Sequence, residues 1–305
     1  DGPGYRWGMS FTLDPSKPLP KGVERAAETQ LRKAVEGLSG QAGMDPDEAA
    51  HDARKRTKKL RALLRLVRAE LGEGAYRREN RALRDAARLL SPVRDAWVLV
   101  EALDDLVTPA EDDLSPESVA CLRGVLVREH QELQGGQGVD DAHARAASAL
   151  EAVLARVPDW RLRDHGWSSL DQGVEVVVRD GRRLMAKARA KGRSGDFHEW
   201  RKQVKYLRYQ FGLLRAVWPD VLDAMEATAD EIGELLGADH DLAVLRERVT
   251  AEPGLSPATR QALLQRLDSS RKDLQNEALV LGRRLYAEKP TSLTQRLGRL
   301  WKAAA

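Results

Sequence analysis

The segment His51-Asp-Ala-Arg54-Lys55-Arg-Thr-Lys58-Lys-Leu60-Arg61 returns later in the chain as His198-Glu-Trp-Arg201-Lys202-Gln-Val-Lys205-Tyr-Leu207-Arg208, at an offset of 198 − 51 = 147. Six positions match in type and spacing. On a helix, at about 100° per residue, His51, Arg54, Lys55, Lys58 and Arg61 fall within a sector of roughly 120°, and Arg65 continues it. Guanidinium forks match phosphate oxygens in bidentate fashion, while lysines supply point charge. A stripe of this length climbs about 15 Å at about 1.5 Å per residue, enough to meet several successive phosphates. The chemistry these residues can do is to hold a long anion.

A histidine heads each stripe. Imidazole, with an ordinary pKa of about 6.5, is easily shifted: the cations of an empty site lower it and a bound polyanion raises it. The alternative for His51 and His198 is a capping or core role. A second pair of matching segments follows, Leu89-Leu90-Ser91-Pro92-Val93-Arg94-Asp95 and Leu235-Leu236-Gly237-Ala238-Asp239-His240-Asp241. Ser91-Pro92 and Gly237 read as interruptions of the third helix in each half, with Ser91 as cap and Pro92 at the first helical position. A restarted helix would aim free N–H groups, together with Arg94 or His240, at the anion. Asp95 and Asp241 read as residues that orient those side chains or cap the turn.

The elements that must carry the stripes are amphipathic helices. Leu60, Leu64, Val67 and Leu71 lie opposite the first row of cations; Trp200, Val204, Leu207, Phe211 and Leu214 lie opposite the second. Apolar residues recur at three- and four-residue steps over nearly all of 21–288, and alternation of β-branched residues is scarce, so the predicted class is all-α. The repeat extends to Gly22-Val23-Glu24 and Gly173-Val174-Glu175, and its offsets of 151, 147 and 146 keep order while loop lengths vary. The division expected is an arm over 1–20 that packs across the first bundle through Tyr5, Trp7 and Phe11, with disorder as the alternative, then a helical bundle over 21–157, a linker over 158–168, a second bundle over 169–288 and a tail over 289–305. Short connections favour antiparallel neighbours, giving two four-helix bundles that face one another across a pseudo-two-fold axis.

Charge is sorted along the chain. Its 305 residues hold 50 Lys and Arg yet carry only +3 net. From His51 to Arg68 there are eight Lys or Arg against Asp52, and from Arg179 to Arg193 seven against Asp180. Glu101 to Glu117 holds seven acids and Asp220 to Glu234 six, with no Lys or Arg in either. An ordinary solvated helix would interleave the signs, because Glu–Lys pairs four residues apart stabilise by about 0.3 kcal/mol each. With 42% hydrophobic residues the chain can bury a large core. Cys121 stands alone, which excludes an intramolecular disulfide and a thiolate-rich zinc site. No run approaches the roughly 18 apolar residues that span a bilayer, and no basic-then-apolar leader opens the sequence. The expectation is a cytoplasmic protein without a membrane partner.

A His-led basic helix in each half, each followed by a Leu-Leu-x-x-x-(Arg/His)-Asp turn, resembles the conserved histidine α-helical domain, known as CHAD, over most of the chain. The resemblance implies two pseudo-symmetric four-helix bundles whose basic helices line a positively charged groove or pore, and binding of inorganic polyphosphate without catalysis or cofactor. By motif position it implies binding roles for His51, Arg54, Lys55, Lys58, Arg61, His198, Arg201, Lys202, Lys205 and Arg208. Arg179 and Arg182 resemble the family's basic pair on the first helix of the second half, and Arg183 adjoins them. Arg65, Arg94 and His240 complete the candidate set with Arg32, which together with Lys33 is the chief cation of the less basic first helix. Arg94 stands where the other half has His240, so the two walls need not contribute equally. No β-rich segment with alternating acids and bases accompanies the helices, and the hydrolase activity of some family members is not expected. In a cell such a protein would be recruited to polyphosphate granules.

Three other readings remain open. Single-stranded nucleic acid could occupy a basic groove, although only 5% of residues are aromatic and base stacking needs exposed rings. Tyr206 and Tyr209 are the aromatic residues near the second stripe. A metal-dependent phosphohydrolase could be built on His51-Asp52 and Asp239-His240-Asp241, yet adjacent Lys and Arg oppose a divalent cation. An acidic helix such as Asp220 to Glu234 could dock a basic partner.

Overall fold

A computed structural model describes residues 11–107, 115–135, 138–162 and 166–305, and all regular secondary structure among them is helical, the class read from the periodicity. The helices are α1 (Leu19–Leu38), α2 (Pro46–Leu66), α3 (Arg68–Leu71), α4 (Glu73–Leu89), α5 (Pro92–Val107), α6 (Pro116–Gln134), α7 (Gly138–Arg156), α8 (Asp171–Lys191), α9 (Ser194–Leu214), α10 (Pro219–Ala251), α11 (Pro257–Leu285) and α12 (Pro290–Ala304). Many of them start at a proline, whose missing N–H is no loss in a first turn. Asp45 caps α2 by accepting from the Asp47 N–H at 2.9 Å, and Ser115 and Ser256 cap α6 and α11 in the same way.

α2 lies against α1, α4 and α9, and α9 in turn against α8 and α10. One apolar cluster runs through this assembly from Phe11 to Trp301, with Leu31, Leu60, Leu63, Leu64, Trp200 and Phe211 fully buried. The apolar faces assigned from the sequence are turned inward: Leu60, Leu64 and Val67 are buried on one side, with Leu71 partly buried, and Trp200, Val204, Leu207, Phe211 and Leu214 are buried on the other. Where α8 passes the end of α2, a Cβ at Gly173 would lie 2.1 Å from the Leu66 carbonyl oxygen, so only glycine permits this crossing. α5 and α6 pack on each other, and α5 lies along α10. A second cluster results, in which Val100, Leu103, Leu122 and Leu126 meet Leu242, Leu245, Val249, Leu263 and Leu267.

Several local expectations are corrected. Pro92 does begin a new helix, but the Ser91 hydroxyl donates back to the Ala87 carbonyl at 3.2 Å, closing α4 rather than capping α5. Gly237 interrupts nothing: α10 runs unbroken from Pro219 to Ala251, because packing on both sides overrides the weak helix propensity of one glycine. Residues 290–304, expected as part of a tail, form α12, whose Leu293, Leu297 and Trp301 recur at four-residue steps and bury against α8 and the segment around Trp167. In the expected arm, residues 1–10, with Tyr5 and Trp7, lie outside the described residues. Phe11 and Leu13 are buried, and the Leu13 N–H donates to the Leu213 carbonyl of α9 at 2.8 Å, so this segment reaches the second half rather than crossing the first alone. Of the stretch expected as a linker, 163–165 lie outside the described residues, and Trp160 is buried in the main cluster.

Candidate anion-binding site

α2 and α9 are direct neighbours, and this brings the two stripes together. Lys58 is pushed down to about 7 by its burial and by Lys205, Arg54 and Arg201. Lys205 is pushed down to about 8 by burial first and then by Arg201, although Glu234 stands 3.8 Å away. Two lysines and two arginines from opposite halves of the chain therefore share one seam and raise the cost of charging one another. Burial also lowers the pKa of Arg201, whose guanidinium stays charged because its ordinary value is so high.

The arginines are aimed by groups later in each half, at the α4–α5 junction for Arg54 and on α10 for Arg201. Arg54 donates to the Leu90 carbonyl at 3.3 Å and pairs with Asp95 at 3.1 Å. Arg201 donates from Nε to the Gly233 carbonyl at 3.3 Å, and its guanidinium lies against Gly237. A Cβ at Gly233 would in turn touch the Lys205 side chain at 3.5 Å. Gly233 and Gly237, one turn apart on α10, leave the trough in which Arg201 and Lys205 lie. In the sequence Gly237 reads as a helix break, and Gly233 alone gives no signal. Their spacing of four residues, facing a cationic helix, was the available signal.

Each half brings histidine to the seam, His198 and His240 beside Arg201 and His51 beside Lys58 and Arg54. The rings of His198 and His240 stand 4.4 Å apart at an interplanar angle of 42°, and Nδ1 of each is buried with no hydrogen-bond partner among the described residues. Burial, then His240, Lys202 and Arg201, push His198 down to about 4. His240 is lowered by burial and by Arg201. His51 is exposed and is lowered by burial of part of its ring, then by Lys58, Arg94, Lys55 and Arg54. Arg94, exposed on α5 and paired with Glu101 at 3.0 Å, thus stands near His51 as His240 stands near His198.

The remaining candidates divide into those held elsewhere and those on open surface. Arg208 is 15% exposed and bound to Asp230 and Glu226 of α10, so its charge is compensated within the protein. Arg61 and Arg65 both donate to the Asn80 side-chain oxygen, at 3.0 and 3.1 Å, and Arg65 stacks 3.7 Å above the Tyr206 ring. Asn80, Tyr76 and Tyr206 form a holder for these two guanidiniums that the sequence did not reveal. Lys202 is exposed and pairs with Glu199 at 2.6 Å. Lys55 is half-buried on α2. Arg179, Arg182 and Arg183 are exposed on α8, the first and last of them near Asp180, and Arg32 is exposed on α1. Two carboxylates of the metal reading are engaged, Asp52 by Arg56, and Asp239 by Arg271 at 3.0 Å and Gln275 at 2.7 Å. Among the described residues no group of three or more His, Cys, Asp or Glu is placed to hold a metal ion. No described helix is long and apolar enough to cross a membrane.

The profile of the CHAD domain family matches residues 25–250, and the chain belongs to that family. Among solved structures the fold resembles that of PptA from Streptomyces chartreusis, at a TM-score of 0.59 and 14% identity, covering 89% of this chain and all of the other. No curated protein matches the chain.

Proposed function

We propose that this chain binds inorganic polyphosphate along the α2–α9 seam, between two halves that form the walls of a basic groove, and does so without turnover. The observation that carries the reading is the seam itself. Lys58, Lys205, Arg54 and Arg201 come together from segments 147 residues apart, at a cost to one another that an anion would remove. His51, His198, His240, Arg94, Lys55 and Lys202 extend the contact. Arg61 and Arg65 continue it, pre-aligned by Asn80 and Tyr206. The polyphosphate affinity known in the CHAD family supports the same assignment. In the cell, this binding would recruit the protein to polyphosphate granules.

The test is calorimetric titration with long-chain polyphosphate, and separately with single-stranded RNA at equal phosphate concentration, at physiological salt. Polyphosphate is expected to bind far more tightly than RNA, pyrophosphate or ATP, because a compact polymer of phosphates engages both stripes at high effective concentration. Equal affinity for RNA would replace this reading with a nucleic-acid one.

A further inference from the structure

Four of the six acids in the run from Asp220 to Glu234 are engaged by cations of the chain. Asp223 is taken by Arg215 at 2.6 Å, Glu226 and Asp230 by Arg208, and Glu234 stands 3.8 Å from Lys205. A second group of carboxylates gathers around a cleft of about 510 Å³ between α5, α10 and α11. Its floor is apolar, made by Val98, Ala102 and Leu106 of α5, Leu242 of α10 and Leu274 of α11. Its rim carries Glu101, Asp105, Asp241, Asp273 and Glu277, with Arg94 as the one cation. Arg94 and the Trp97 indole satisfy Glu101. Asp105, Asp273 and Glu277 are exposed and make no ion pair with any described residue.

The cleft has the shape of a helix groove. Its α5 wall uses residues 94, 98, 101, 102, 105 and 106, a single face that continues for about three turns, or about 18 Å. Ser270, Asp273, Leu274 and Glu277 present a matching face from α11. We propose that this cleft docks a basic amphipathic helix of a partner protein, its apolar stripe on the aliphatic floor and its lysines or arginines against Asp105, Asp273 and Glu277. Charge complementarity selects the sign of the partner, and the floor selects its kind. Branched aliphatic walls reward burial of leucine-like side chains, whereas a free oligoamine offers only methylenes. Burial raises the pKa of Asp241 on this rim, against the opposing pull of Arg201, His240 and Lys205, so the exposed Asp105, Asp273 and Glu277 are the carboxylates left to meet a partner.

The site does not depend on the anion reading, and its test is run on the full chain with no polyanion present. The probe is a fluorescent peptide of about fourteen leucines and lysines patterned as an amphipathic helix, about 21 Å long. The control has the same composition in a scrambled order. Saturable binding of the patterned peptide, at least about tenfold tighter than the scrambled one, is expected, with a loss of about tenfold or more in the triple variant Asp105→Lys, Asp273→Lys, Glu277→Lys. These three side chains are exposed, so the variant keeps its fold, which circular dichroism checks. Ala238→Trp, placed at an exposed position on the cleft wall, supplies a second block that leaves every charge in place, and it too should weaken the peptide. Absence of binding, equal binding of the scrambled peptide, or binding indifferent to both variants would overturn the proposal. Displacement of the peptide by spermine at equal concentration would do so as well, in favour of an oligoamine site.

Discussion

The guanidinium of Arg201 occupies space that any side chain at Gly237 would need: a Cβ built there would lie 2.6 Å from Nη2. The backbone at Gly237 is ordinary helix, so alanine is sterically acceptable to α10 itself and even favoured by about 1 kcal/mol in helix propensity. The clash falls on the far end of a flexible side chain, which can swing away.

Gly237→Ala is therefore expected to keep or raise helical stability while displacing Arg201 from the seam. Polyphosphate affinity should drop about tenfold, the loss of roughly one charge-assisted contact of about 1.5 kcal/mol. Calorimetry and thermal unfolding on the same sample separate the two effects. Unchanged affinity would mean that Arg201 does not need this trough to reach the ligand.

Lys58 contributes in the opposite sense to folding and to binding. Its folded pKa lies below its unfolded one, so the unfolded chain holds more protons between about pH 7 and 10.5, and the stability of the empty protein rises with pH across that window. Lys58→Met is expected to raise Tm at pH 7 by about 2 °C, corresponding to somewhat less than 1 kcal/mol, and to weaken polyphosphate binding. A variant that lost both stability and affinity would mark Lys58 as a structural cation.

Bound polyanion should raise Lys58 and Lys205 from about 7 and 8 toward their ordinary values, and raise His51 and His198 from their lowered ones. Groups whose pKa rises on binding take up protons, so affinity is greatest at low pH and falls as pH rises through the bound-state values. The histidines act below pH 7 and the lysines above it. Titrations at pH 8.5 in buffers of different ionisation enthalpy are expected to report net proton uptake from the lysines. His51→Gln with His198→Gln is expected to keep most of the affinity and to remove the pH dependence between about pH 5.5 and 7 only.

Arg208 shares the repeated motif but faces Asp230 and Glu226, the latter 6% exposed and pushed up to about 7 mainly by burial. Arg208→Ala strands those carboxylates and is expected to cost about 3 kcal/mol of stability with little change in affinity. Arg54→Ala, by contrast, is expected to cost affinity. The salt dependence carries the same distinction. Log affinity should fall steeply and nearly linearly with log salt, and the slope should flatten in Arg54→Ala but not in Arg208→Ala.

The helical class, the buried faces of α2 and α9 and the seam residues were all legible, because each rests on a spacing within one segment. The fate of individual cations was not. Arg65 meets Asn80 from another helix, Arg208 meets Asp230 from another, and nothing within the motif itself distinguishes Arg208 from Arg61. Gly237 misled because glycine reads locally as a breaker, while its reason here is the arginine of a neighbouring helix. The helix over 290–304 is legible in the four-residue steps of Leu293, Leu297 and Trp301, all three buried, although a short segment this late in the chain reads as a tail.

The hairpin of α5 and α6 buries Val100, Leu103, Leu122 and Leu126 against Leu242, Leu245 and Val249, although those residues are synthesised more than a hundred positions later. During translation this hairpin must wait with its apolar side uncovered. Residues 1–157 produced alone would expose that side and self-associate, and the remainder alone would leave the matching face of α10 bare. Co-expressed fragments cut near residue 163 should therefore rescue each other's solubility, and the intact chain should unfold in one cooperative transition rather than half by half.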